Sequence, residues 1–371
     1  MEICYYTIYD KMGVGCAHLA QNREVYTNDL LSMTTEELTA FVISLGEPSF
    51  RAGQIRDWLY RGYSYTEMSN LPKQLREKLA EKTVDRLPKV HKKLVSMLDG
   101  TVKYLFSLYD GQLIESVVMR YEHGITICIS SQAGCRMGCR FCASTLKGKD
   151  RDLYPSELLG QIIAAQRDLG ERISGVVMMG IGEPLDNYDN VIRFLKLAGD
   201  PACLGLSYRS ISLSTCGLVN RIYDLAKEDF PITLSISLHA VCDAERSAIM
   251  PINNKYNMDA LLSACRDYFK ITGRRISFEY TLIAGVNDDE QHAKDLAAVL
   301  HHYLPNMPFH VNLIPVNDVA ERGFKRSNRD SIRRFTDLLK KLKVNATVRR
   351  RLGSDINASC GQLRHNEQNN S

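Results

Sequence analysis

Missing from this sequence is any long apolar run. Nowhere in its 371 residues do about eighteen apolar residues stand together, and residues 1–30 contain nothing long enough for a secretion signal. No membrane-spanning helix is expected, and the expected location is the cytoplasm. Structural disulfides are also disfavoured. Eleven cysteines, an odd number, in a reducing compartment are expected as free, catalytic or metal-bound thiols. A strong overall charge is lacking too, since the net value is +4. Its distribution is uneven, however. From Glu321 to Gly353 there are twelve Lys or Arg against three acids, Glu321, Asp330 and Asp337. That surplus suits a polyanion, although a solvated helix face would carry the same composition.

With 44% hydrophobic residues the chain can bury a core for one large domain and a smaller one without covalent staples. The first zone is helical. TTEELTAFVISLG (34–46) opens with a cap-and-box start and stops at Gly46, and SFRAGQIRDWLYRG and LPKQLREKLAEK follow with apolar residues at helical spacing. Residues 90–120 then alternate apolar and polar around two Asp-Gly pairs, a strong signal for antiparallel hairpins. From about Thr126 the pattern becomes β followed by α, repeated. ICIS, GVVMMG, SISLSTC, TLSISLH, SFEYTLI, HVNLIPV and NATVRR are strand-like, and most are separated by helical stretches. Such alternation predicts a parallel sheet with right-handed crossovers. Six or seven units fall short of a closed eightfold barrel, so an open or partial α/β barrel is expected, with its ligand at the carboxyl ends of the strands.

Cysteine is present in a pattern. CISSQAGCRMGCRFC (128–142) contains C-x3-C-x2-C, formed by Cys135, Cys139 and Cys142 in a loop just after a strand. Soft thiolates at close spacing hold zinc or an iron-sulfur cluster, and three protein ligands leave one metal position unfilled. Adding Cys128 would complete a four-cysteine zinc site, but the paired C-x2-C knuckles of zinc ribbons are absent. Four ordinary buried cysteines are the plainer alternative. Their place in a loop flanked by Arg136 and Arg140 speaks against it, and Phe141 would shield a cluster edge. Cys4, Cys16, Cys203, Cys216, Cys242 and Cys265 fit no motif and read as small hydrophobes.

C-x3-C-x2-C at the top of a βα array resembles the radical S-adenosylmethionine (SAM) superfamily. SSQAGCRMGCRFC, MGIGEPLDN, LSTCG, ISLHA, MPIN (250–253), GVNDD, NLIPVN and GSDINASCGQL, with SFRAGQIRDWLYRG near the start, are similar to the bacterial RNA adenine C2-methyltransferases. The likeness runs from about residue 30 to Cys360; one departure is IPVND where the family commonly reads IPWNP.

The resemblance implies a partial (βα)6 radical SAM barrel over 126–352. With it come an N-terminal segment and helical module over 1–89, a β-hairpin extension over 90–125 and a C-terminal loop over 353–371. It implies a 4Fe-4S cluster on Cys135, Cys139 and Cys142 whose open iron chelates S-adenosylmethionine. Gly182, Glu183, Ser214, Ser237, Leu238, His239 and Asn317 would be cofactor-binding, Leu238 through its backbone. Carbon 2 of adenine lies between two ring nitrogens and is too electron-poor to attack a sulfonium methyl, whereas a radical can add to it. The implied route methylates Cys360 from one S-adenosylmethionine and uses a second to make the hydrogen abstractor. It joins Cys360 to the base, lets Glu115 accept a proton, and has Cys128 release the product as a Cys128–Cys360 disulfide. The implied partners are 23S ribosomal RNA, transfer RNA and an electron donor such as flavodoxin or ferredoxin, with the chain a monomer. A sister type acting on carbon 8 typically has Ala where this chain has Pro184. A zinc-stabilised RNA-binding protein without catalysis is the alternative from another class.

Overall fold

The computed structural model describes residues 28–316 and 323–358, in two compact units that divide between Arg86 and Leu87. The first unit holds α1 (Thr35–Ser44), α2 (Phe50–Tyr60) and α3 (Lys73–Lys82). The expected capping box is formed: Thr34 Oγ1 accepts from the Glu37 N–H at 3.3 Å while the Glu37 carboxylate accepts from the Thr34 N–H at 2.9 Å. Such a cap contributes ~1 kcal/mol. Buried Leu38, Val42, Ile55, Met68, Leu75 and Leu79 give the unit a core of its own.

The second unit begins with four strands, β1 (Lys89–Val95), β2 (Val102–Ser107), β3 (Leu113–Tyr121) and β4 (Gly124–Cys128), then a short ribbon, β5 (Gln132–Gly134) with β6 (Lys149–Asp152). There follow α4 (Pro155–Leu169), β7 (Gly175–Met178), α5 (Tyr188–Gly199), β8 (Ile211–Thr215), α6 (Val219–Ala226) and β9 (Thr233–Ser237). Next come α7 (Asp243–Ile249), α8 (Met258–Thr272), β10 (Ile276–Leu282), α9 (Glu290–Tyr303), β11 (Phe309–Pro315), α10 (Arg329–Lys341) and β12 (Ala346–Val348). Ten strands make one sheet in the order β1-β2-β3-β4-β7-β8-β9-β10-β11-β12. Pairing is parallel from β4 to β12 and antiparallel from β1 to β4.

This is the partial (βα)6 arrangement, open at β1 and β12, with β12 added beyond the sixth helix. Both Asp-Gly pairs make turns, with Gly100 and Gly111 at φ 70° and 82°. The antiparallel strands are continuous with the barrel sheet, because β3 pairs directly with β4. Helices α6 and α7 are only 8 and 7 residues long; α6 nevertheless buries Val219, Ile222, Leu225 and Ala226 at helical spacing.

Alternation along the parallel strands decides what the sheet's inner face is made of. In β8, Ile211, Leu213 and Thr215 are buried while Ser212 and Ser214 are half-buried. In-register neighbours continue that polar face, since Ser214 stands beside Ser235, Ser237 beside Glu279, and Glu279 beside Asn312. One side of the sheet therefore buries aliphatic side chains and the other lines a polar interior.

Candidate active site

The cysteine loop is clamped by the β5–β6 ribbon. Cys135 N–H donates to the Gly148 carbonyl at 2.8 Å, and the Thr145 hydroxyl donates to the carbonyls of Cys139 and Cys142 at 3.1 and 3.0 Å. Gly134 has φ 85°, and a Cβ there would stand 2.1 Å from the Gly148 oxygen, so only glycine fits. Asp186 pins the loop to the end of β7 by accepting from Gln132 Nε2 at 2.8 Å, Arg136 Nε at 3.0 Å and Lys149 Nζ at 3.1 Å. On the opposite side, Arg140 N–H donates to the Ile249 carbonyl at the end of α7 at 2.8 Å.

Cys135, Cys139 and Cys142 line one cavity of about 340 Å³ together with Glu115, Cys128, Gly182, Glu183, Ser214, Ser237 and His239. Ten of the sequence-predicted site residues thus converge there. Leu238 does not line it; its side chain is buried, and its N–H and carbonyl are engaged by the Glu279 carbonyl and Arg246 at 3.0 and 3.2 Å. Asn317 and Cys360 lie outside the described residues.

Each strand end contributes by a different device. Gly182 has φ 111°, and a Cβ on it would stand 2.7 Å from the Gln132 nitrogen, which lets the β7 loop close against the loop after β4. The buried Glu183 carboxylate accepts from the N–H groups of Leu185 at 3.0 Å and Cys216 at 2.7 Å. Burial pushes its pKa up, against those hydrogen bonds. His239, two residues beyond β9, has φ 61°, a left-handed conformation that costs a non-glycine residue about 1 kcal/mol or more. Its Nδ1 accepts from the Thr281 N–H at 2.9 Å, which leaves the proton on Nε2. Burial, with Arg246 nearby, pushes His239 down to about 3 and keeps it neutral. The Phe141 ring meets His239 edge-on at 4.8 Å.

Across the cavity, Cys128 ends β4 opposite Val117 of β3, and Glu115 lies two residues along the same strand. Glu115 is 2% exposed and pairs at 3.0 Å with Lys103, whose side chain is 0% exposed. Lys103 Nζ also donates to the Asn357 carbonyl at 3.1 Å. The C-terminal stretch is held at two further points: Asp355 accepts from Ser96 Oγ and Met97 N–H at 2.7 and 2.8 Å, and Gly353 N–H donates to Asp99 at 2.8 Å. Ala358, two positions before Cys360, lines the same cavity as Cys128 and Glu115.

Comparison with known proteins agrees with this geometry. Residues 129–297 match the radical SAM superfamily, and residues 28–84 match the N-terminal domain of ribosomal RNA large subunit methyltransferases. A Clostridium botulinum (strain Eklund 17B / Type B) protein named probable dual-specificity RNA methyltransferase RlmN is 51% identical over 337 residues, which cover 91% of this chain and 96% of its own length. A protein of the same name from Alkaliphilus oremlandii (strain OhILAs) is 51% identical over 343 residues, covering 92% and 99%. The chain belongs to the RlmN family of radical SAM RNA methyltransferases. The crystal structure of a radical SAM methyltransferase from Sphaerobacter thermophilus superposes with a TM-score of 0.85 at 40% identity, covering 90% of this chain and 98% of the other.

Membership of the RlmN family brings a 4Fe-4S cluster and S-adenosylmethionine, and the donor set fits the cluster. Burial, with the Cys142 thiol adding to it, pushes Cys135 up to about 12, and Cys139 moves the same way for the same reasons. Protons on these thiols are displaced once a cation binds. Among the described residues no three His, Cys, Asp or Glu side chains are grouped to hold a single ion. Three soft thiols on one loop, all lining one cavity, suit a cluster in which each thiolate binds its own iron.

Several lining residues escaped the sequence reading. Buried Glu279 accepts from Asn312 Nδ2 at 2.6 Å, and Cys216 is a cavity residue rather than a plain hydrophobe. Exposed Cys242 is likewise no core residue. Arg349, Arg350 and Arg351, read as part of a basic run, line the cavity as well. Parity was the available signal for Glu279: Ser277, Glu279 and Thr281 alternate along one strand, as Ser212 with Ser214 and Ser235 with Ser237 do.

Proposed function

We propose that this RNA methyltransferase methylates carbon 2 of adenine in 23S ribosomal RNA and in transfer RNA. The observation that carries the proposal is the shared cavity, which Cys128, Glu115 and Ala358 line together with the three-cysteine loop. Cys135, Cys139 and Cys142 would hold the cluster, and Gly182, Glu183, Ser214, Ser237, His239 and Asn317 would seat S-adenosylmethionine, while the Leu238 backbone, bonded to Glu279 and Arg246, fixes the turn between Ser237 and His239. When bound, these groups supply one-electron cleavage and hence a radical able to abstract hydrogen.

The chain's own residues do the rest. Cys360 carries the methyl group that becomes bonded to the base, so RNA and protein are joined through its sulfur. Glu115, held by Lys103, accepts the proton lost from carbon 2, while the one electron the radical adduct gives up would return to the bound cluster. The Cys128 thiolate then attacks the Cys360 sulfur: an S–S bond forms, the bond from sulfur to the transferred carbon breaks, and that carbon keeps the electron pair and takes up a proton to become the methyl group. Burial pushes the Cys128 thiol up, with Arg349 opposing, so attack requires its proton to leave first. An external reductant restores both thiols, and an electron donor of the flavodoxin or ferredoxin type serves the cluster. The enzyme works as a cytoplasmic monomer; among the described residues no helix is long and apolar enough to cross a membrane. Pro184, standing where the carbon 8 sister type typically has Ala, supports carbon 2.

Denaturing electrophoresis with nuclease treatment tests this division of labour. Cys128→Ala is expected to accumulate protein crosslinked to RNA, and Cys360→Ala none. A crosslink in Cys360→Ala, or its absence in Cys128→Ala despite a methylated Cys360, would refute the proposal.

A further inference from the structure

Arg246, in α7, is 0% exposed and the largest fully buried side chain among the described residues. All its hydrogen bonds go to neutral oxygens. Nη2 donates to the carbonyls of Cys216 and Ser237 at 2.7 and 3.0 Å, Nε to the Leu238 carbonyl at 3.2 Å, and Nη1 to Asn253 Oδ1 at 3.0 Å. One guanidinium thus ties the end of β8 to the end of β9. Among the described residues no carboxylate lies within ion-pair distance of it. Asp243, on the same helix, spends its Oδ1 on Asn253 Nδ2 at 2.9 Å and the Met258 N–H at 2.8 Å. A guanidinium stays ionised even when burial pulls its pKa down, as it does here. An unpaired charge in such a site costs several kcal/mol unless an anion compensates it.

The surroundings indicate where that anion belongs. Cys216, whose carbonyl takes the shortest of the four bonds, packs with Cys139, Ile249 and Met250 in one buried cluster, against which the half-buried Cys142 and Phe141 lie. The thiols of Cys216, Cys139 and Cys265 are the first groups whose negative charge would favour the guanidinium, with Asp243 after them. Glu183, across the Cys216 backbone, is engaged with the N–H groups of Leu185 and Cys216.

We propose that Arg246 is a positioning residue for the cysteine loop, holding the ends of β8 and β9 behind it and supplying a fixed positive charge that favours the electron-rich state of the bound cluster. The inference rests on Cys135, Cys139 and Cys142 being cluster ligands. Adding an electron makes the cluster more negative, so a nearby cation raises its midpoint potential, and removing the cation lowers it.

The test uses full-length chains reconstituted anaerobically, with iron and sulfide measured first and the midpoint then read by electron paramagnetic resonance during a redox titration. Arg246→Gln removes the charge and Arg246→Lys keeps it. At unchanged iron content, the Gln variant is expected to disfavour reduction by about tenfold or more, a shift of about 59 mV for a one-electron couple, while the Lys variant stays near the parent. A fully loaded Gln variant with the parental midpoint overturns the inference. Should Gln fail to fold, Lys decides: a loaded Lys variant displaced by about tenfold overturns it, since the charge is present. Failure of both to load assigns Arg246 to folding alone and also overturns it. An unaltered chain without iron or sulfide would instead refute the ligand assignment.

Discussion

The cysteine loop between β5 and β6 and the stretch from Arg349 to Ala358 both reach the cavity, but the bonds that hold them span very different lengths of chain. Within the loop, Cys135 bonds to Gly148, Cys142 to Cys139, and Thr145 to both Cys139 and Cys142. The C-terminal stretch is held by Ser96, Met97, Asp99 and Lys103, 254 to 259 residues away in sequence. Short closures cost little entropy and can be specified by local glycines. A terminal segment docked through a few polar bonds has no such local support, and its ordering depends on those partners remaining in place.

The largest expected effect removes one wall while sparing the other. Cys139→Ala should abolish cluster loading and cleavage of S-adenosylmethionine, with the C-terminal anchors intact; full iron content together with continued deoxyadenosine production would sink the ligand assignment. The converse experiment is Asp99→Ala combined with Asp355→Ala. Iron content should be unchanged while RNA methylation falls by about tenfold, because the segment leading to Cys360 is misplaced. Undiminished methylation in that double variant would show that the anchors are dispensable.

A smaller effect concerns Arg350 and Arg351, which line the cavity in the C-terminal stretch. If both contact phosphate, replacing them with Gln should reduce the slope of log affinity against log salt by about 1.5. Binding measured across a salt series checks this, and an unchanged slope would return them to the role of solvated charge. The smallest effect lies on the loop side and depends on pH. His239 stays neutral to about 3 in the folded chain, against 6.5 for an ordinary histidine, chiefly through burial and then through Arg246. Between those values the unfolded chain binds a proton that the folded chain does not, so stability falls as pH drops from about 6.5 towards 3. Denaturant melts should show a shallower decline over that range for His239→Gln than for the parent.

Legibility followed the same division. The three ligand cysteines, Gly182 and the polar strand ends could be read from runs of a few residues, because the βα alternation and the turns are local consequences of period, glycine and spacing. Lys103 could not be read this way. Nothing around it in VKYLFS indicates a fully buried ammonium; that follows only when β2 registers Leu105 against Glu115 and Asn357 arrives from the far end of the chain. Arg246 is a similar case, since ERSAIM reads as an ordinary amphipathic turn until the ends of β8 and β9 close around it.

By itself, then, the amino-acid sequence determined the order of strands and helices, the cysteine spacing and the positions where only glycine can turn, since each depends on neighbours a few residues apart. Tertiary structure alone decided that Cys128 and Glu115 share a cavity with the loop, that Cys216 and Glu279 belong to its wall, and that the C-terminal stretch reaches it. Those outcomes depend on register and on hydrogen bonds between partners more than 200 residues apart, for which a one-dimensional pattern carries no signal.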